Sequence, residues 1–336
     1  AAGGLVTKNP QFRARKLVFT PEEITGCVSK DESVKTGKPY LVACFDIALS
    51  EKGELARYSR LSSPDENAGG DKWYAYLMTQ EASPWYNNQT YVDTLNGEAI
   101  EKFIEVTYEA YKKAVGDNFG NVIPAMFTDE PQFERKTTLN FATDKQPVTL
   151  PWTVDFPDTF KKANGFDIID YLPELIWELP DAVSKARYLY HDHVSERFAS
   201  AFADKCGKWC EENNLLLTGH LMEEPMLKSQ TAALGEAMRS YRSFGLPGID
   251  MLCDRIEYTT AKQAQSAARQ YGREGVLSEL YGVTNWDFDF RGHKFQGDWQ
   301  AALGVTVRVH HLSWVSMAGE AKRDYPASIN YQSPWY

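Results

Sequence analysis

Apolar residues follow two different rhythms along the chain. Up to about residue 72 they come in short runs, Lys16 to Thr20, Tyr40 to Leu49 and Leu55 to Leu61, broken by the turn formers Lys52-Gly53 and Ser62-Ser63-Pro64. Runs of that length between turn signals predict strands. Residues 1–72 therefore read as an N-terminal remnant carrying a small antiparallel β insertion. Trp73 to Thr79 fits either a further strand of that sheet or a strand of the region that follows.

From residue 90 onward strands and helices alternate. Asn96 is a fair N-cap, and Ile100, Phe103, Ile104, Thr107, Tyr108 and Tyr111 then mark one helical face. Val122 to Phe127 is a buried-strand run, residues 151–180 an excursion with short helical pieces, and residues 181–213 one long helix. Strands are expected at Leu215 to Thr218, Gly248 to Cys253, Gly275 to Leu280 and Val305 to Leu312, with helices around 227–241, 260–271 and 298–303 between them. Such alternation implies parallel βαβ units, and residues 73–336 read as the core of a (β/α)8 TIM-type barrel. No Gly-x-Gly-x-x-Gly, Walker loop or Gly-x-Ser-x-Gly elbow is present, which weighs against nucleotide binding and serine-hydrolase chemistry.

Composition narrows the partners. A net charge of −10 over 336 residues disfavours nucleic acid, whose phosphates need clustered Lys and Arg. No run approaches the ~18 apolar residues of a membrane span. The five cysteines form neither a disulfide framework nor a zinc pattern. His191 and His193 stand two apart on the predicted long helix, on different faces, and read as surface. The opening AAGGLVTKNP has neither an initiator Met nor a signal pattern. The chain thus reads as a processed or excised piece whose compartment stays open.

In a (β/α) barrel the site is built at the carboxyl ends of the strands, and here the predicted strands end in ionisable residues. Asp129 and Glu130 follow one, His220, Glu223 and Glu224 the next, and Asp250 lies on the third; Glu279 lies on the fourth and His310 and His311 on the last. A single carboxylate there would read as a helix cap; a series is harder to explain that way. Two carboxylates across a cleft are what glycosidic cleavage requires, one protonated to release the leaving oxygen and one ionised to attack or to activate water. Glu130, after an apolar run and beside Asp129, fits the acid, and Glu279 the base or nucleophile; Glu224 with Glu279 is the rival pair. Asp129, His220, Glu223, Glu224, Asp250, Tyr281 and His310 read as substrate-binding residues and Trp286 as a sugar-stacking ring. Adjacent strand residues face opposite ways, so only one of His310 and His311 faces inward. No metal ligand set or cofactor is assigned, and a structural calcium ion is left open. Two other readings remain: a metal-dependent barrel hydrolase or lyase using His220, Glu224, Asp250 and His310, and a non-catalytic carbohydrate-binding protein.

Several short motifs carry a resemblance. Tyr91-Val92-Asp93-Thr94-Leu95-Asn96, Phe127-Thr128-Asp129-Glu130-Pro131, Gly219-His220 with Glu223-Glu224-Pro225, Pro247-Gly248-Ile249-Asp250-Met251 and Ser278-Glu279-Leu280-Tyr281-Gly282 occur in that order. Lys322-Arg323-Asp324-Tyr325-Pro326 and Tyr331-Gln332-Ser333-Pro334-Trp335 close the series. Over residues 85–336 the chain resembles the α-L-rhamnosidase-like glycoside hydrolases of family 106 and their bacterial relatives. The resemblance implies a barrel whose first two strands precede this chain, with Glu130 ending strand 4 and Glu279 strand 7. It also implies an inverting enzyme acting on a deoxy-sugar in an oligosaccharide or glycan, in a longer protein that continues into β-sandwich domains.

Overall fold

The computed structural model describes residues 4–311 and 333–335, so the 322–326 motif and residues 331 and 332 lie outside the described residues. The chain divides into two compact units. The first comprises Ala1–Ala114, Gln132–Lys205 and Thr231–Gly235, and the second Val115–Pro131, Cys206–Gln230 and Glu236–Tyr336. The strands are β1 (Arg15–Thr20), β2 (Tyr40–Leu49), β3 (Leu55–Leu61), β4 (Asp71–Thr79), β5 (Ala125–Thr128), β6 (Val148–Trp152), β7 (Leu216–Gly219), β8 (Leu246–Met251), β9 (Leu277–Leu280) and β10 (Val307–His310).

In the first unit the order is β3-β2-β4-β1-β6, antiparallel throughout. Alternation along β4 explains why this sheet buries both faces. Trp73 stacks on Phe19 at 5.4 Å and meets Trp177 edge-on at 5.0 Å, whereas Tyr74 and Tyr76 pack with Cys44 and Leu61 on the other side. Trp73 to Thr79 is thus a strand of the antiparallel sheet. β6 contains Pro151, which cannot donate a ladder hydrogen bond, and it sits at the sheet edge where none is needed.

In the second unit the order is β10-β9-β8-β7-β5, all parallel, each strand laid beside its predecessor. The expected (β/α)8 barrel is not what forms. The described residues supply five parallel strands with β5 and β10 at the edges of the sheet, three short of the eight that closure of the barrel needs. The other five strands are committed to the antiparallel sheet, where their two-residue alternation suits them. The expected long helix is helical from Lys185 to Glu212, but it is interrupted by a π turn over Ala199–Ala203. The cysteines form no disulfide among the described residues, and Cys44, Cys206 and Cys210 are buried.

Candidate active site

The site residues of the second unit stand at the carboxyl ends of its parallel strands. Pairing in register sets Thr128 opposite Gly219 and Asp250 opposite Glu279, so Asp250 and Glu279 lie level on neighbouring strands. At Gly219 (φ +112°) a Cβ would lie 1.9 Å from the Thr128 carbonyl oxygen, so only glycine fits. That approach lets the His220 amide donate to the Thr128 oxygen at 3.1 Å. Left-handed backbone then recurs at non-glycine positions beside the strand ends: Glu130 (φ +43°), Glu223 (+60°), Cys253 (+58°) and Tyr281 (+80°). Each is strained by ~1–3 kcal/mol, a cost that native folds concentrate at functional sites.

His220 is the centre of the cluster. It is 2% exposed, with Nε2 3.0 Å from Asp129 Oδ1 and Nδ1 3.7 Å from Glu279 Oε2, and Phe127 meets its ring edge-on at 5.5 Å. Burial works against its charge. The Asp129 hydrogen bond and the fields of Asp250, Glu224 and Glu279 outweigh burial and raise its pKa to about 9, so it is an imidazolium at neutral pH. Its hydrogen bond holds exposed Asp129 below the usual carboxylate range. Glu130 and Glu279 lie above that range, raised first by burial and then by neighbouring carboxylates, with His220 pulling both back down. Glu223 is one of the charges acting on Glu130.

Glu224 is fully buried. Oε1 accepts from the Leu221 amide (2.9 Å) and the Tyr241 hydroxyl (2.8 Å), and Oε2 from the Asp250 amide (3.0 Å). Three protein donors already occupy its carboxylate, so it braces the His220 and Asp250 segments. Burial pushes Glu224 up to about 7 and Asp250 also to about 7, the latter against His220 and with the help of Glu224, Glu130 and Glu279. Asp250 Oδ1 is buried without a hydrogen-bond partner among the described residues.

The other predicted residues gather separately. The Tyr281 ring lies 5.1 Å from exposed His310 and 4.5 Å from His293, and the half-buried Trp286 accepts from Trp335 Nε1 at 3.1 Å through its carbonyl. Of the two adjacent histidines, His311 is the one whose charge acts on Asp129. Tyr241 and His293 escaped the sequence reading, because nothing local marks a helix-end Tyr or a mid-helix His as a site neighbour. Among the described residues no three His, Cys, Asp or Glu side chains are grouped as a metal site would need.

These shifts carry a stability prediction. In the folded chain Glu224, Asp250 and His220 all bind their protons more tightly than the unfolded chain does. The stabilisation from the two carboxyls is complete below the ordinary value of ~4 and is lost as pH rises through about 7. That from His220 is complete below ~6.5 and is lost as pH rises through about 9. Asp93, buried in the first unit and raised to about 7, has the same sign. His191, lowered to about 3, and Lys136, lowered to about 8, act with the opposite sign below ~6.5 and above about 8, so the thermal midpoint is expected to fall between pH 6.5 and 8 in scanning calorimetry; a midpoint that rises over that window contradicts this.

The fold resembles that of a solved rhamnosidase. The solved structure of a rhamnosidase from Novosphingobium sp. PP1Y matches 79% of this chain and 25% of its own, with a TM-score of 0.53 and 22% sequence identity. The chain thus spans about a quarter of the length of that protein. No family model matches the chain, and no curated protein matches it.

Proposed function

We propose that this chain is a glycoside hydrolase of the family 106 type, cleaving α-L-rhamnosides by inversion, with Glu130 as general acid and Glu279 as general base. The observation that carries the reading is the unequal hold of His220 on the two carboxyls. Its Nδ1 lies at ion-pair distance from Glu279, 3.7 Å, which favours the ionised form there. Glu130 is raised by burial and by the negative charge of Asp129 and Glu223, which favours the protonated form. Burial raises both carboxyls and His220 draws both back down, so what distinguishes the base from the acid is the ion-pair contact with His220, which of the two only Glu279 makes among the described residues. Ionised Glu279 draws a proton from a water that attacks the anomeric carbon, while Glu130 protonates the departing oxygen. Asp129, kept ionised by its hydrogen bond to His220, adds negative charge where an oxocarbenium-like transition state turns positive. Glu223, Trp286 and His310 are assigned to the sugar, with the buried Tyr281 ring packed against His310.

The test is turnover of p-nitrophenyl α-L-rhamnopyranoside followed by proton NMR. The first sugar released is expected to be the β anomer. Release of the α anomer would replace the water step by a covalent one on Glu279, and no turnover by the folded chain would remove the reading.

A further inference from the structure

A separate pair of ionisable side chains, Lys136 and His191, lies in the first unit. The segment after Gln132 is pinned, with the Phe133 amide donating to Ala233 O at 2.9 Å and the Lys136 amide to Ala232 O at 2.8 Å. From that anchored backbone the half-buried Lys136 side chain reaches the helix Lys185–Phe198, where Nζ lies 2.9 Å from His191 Nε2. An amine can donate to that nitrogen only if the imidazole is neutral there. One turn earlier on the helix stands Arg187, fixed by the carbonyls of Glu174 and Trp177 and by the Glu178 carboxylate. Among the described residues Lys136 has no carboxylate at ion-pair distance; its partners are an imidazole and a nearby guanidinium.

We propose that Lys136 is a covalent modification site, an amine nucleophile that takes an acyl group from a small activated donor of the acyl phosphate class. His191 Nε2 accepts one amine N–H and turns the nitrogen lone pair away from the imidazole. The lone pair attacks the acyl carbon, the bond from that carbon to the phosphate oxygen breaks with its electron pair leaving on phosphate, and the proton lost by nitrogen ends on the departing phosphate. The product amide keeps an N–H to donate to His191, and it removes a cationic group from beside Arg187. Burial first, and then the Arg187 charge, lowers Lys136 to about 8. Burial, with the charges of Lys136 and Arg187, lowers His191 to about 3, so the imidazole stays neutral.

The experiment incubates the full chain with acetyl phosphate between pH 6.5 and 10.5 and follows acetylation of the Lys136 peptide by mass spectrometry. Nα-acetyl-lysine amide in the same tube serves as the free-amine reference. The Lys136 rate is expected to reach half its maximum about two pH units below the reference. A rate that climbs in step with the reference, or no acetylation of Lys136 while the reference reacts, overturns the proposal. His191→Glu places a carboxylate against the amine and is expected to cut the Lys136 rate at pH 7.5 at least tenfold. An unchanged rate in the folded variant overturns the part assigned to His191, and the wild-type profile decides the proposal even if the variant does not fold.

Discussion

Glu279→Gln is expected to lower kcat on an aryl α-L-rhamnoside by about a thousandfold, inside the ~10²–10⁴ range that a positioned general base supplies. Glutamine keeps the volume and the hydrogen-bonding oxygen but takes no proton from water. KM should move little, since the lost interaction serves the transition state. The variant should also fold well. Burial already raises Glu279 above its ordinary range, so removing its charge relieves a desolvation cost at the expense of one ion-pair contact. His220 loses one of the four carboxylates that raise its pKa, and its NMR titration should move down accordingly. A folded variant with less than a tenfold fall in kcat would remove Glu279 from the mechanism.

The second large effect is on the backbone that carries His220. Gly219→Ala sets a Cβ 1.9 Å from Thr128 O and 2.6 Å from Thr128 N, both main-chain atoms, at φ +112°. The dihedral costs about 1 kcal/mol and forced separation of packed atoms a further ~1–3 kcal/mol, so a loss of about 3 kcal/mol is expected in urea unfolding. Moving β5 away from β7 also breaks the His220 amide bond to Thr128 and draws Asp129 off the imidazole, so kcat should fall with stability. Gly165→Ala is the control. Its φ is +82° but nothing lies within 4 Å of the added Cβ, so only the dihedral cost of about 1 kcal/mol applies. Equal unfolding midpoints for the two variants would contradict this account.

What sequence pattern conveyed and what it missed have physical causes. The runs predicted for β7, β8, β9 and β10 begin or end within about two residues of the observed strands; β7, β8 and β9 are mostly buried, as strands inside a parallel sheet are, whereas the edge strand β10 is largely exposed. The carboxylates and His220 were found because strand ends are chain positions, visible without coordinates. The barrel was not right, since counting strands by rhythm cannot tell which sheet receives them. Trp73 to Thr79 carries the two-sided alternation of an antiparallel strand yet borders the βα region, and Val148–Trp152 was hidden by Pro151. His191 and His193 read as surface. Both are instead half-buried and hydrogen-bonded, to Lys136 and, at 3.1 Å, to Thr159, through partners 55 and 34 residues away that no helical pattern reveals. Glu224 looked like any strand-end acid, and only the folded chain brings Tyr241 and the Asp250 amide to it.

The most direct test of the central claim compares wild type and Glu130→Gln on two α-L-rhamnosides that share a sugar and differ in leaving group, one p-nitrophenol and one an alkyl alcohol. Nitrophenolate departs without help, whereas an alkoxide needs a proton. If Glu130 is the acid, the variant loses ~10²–10⁴ in kcat/KM on the alkyl rhamnoside and far less on the nitrophenyl one. Equal losses on both substrates, or none on either, would contradict the account.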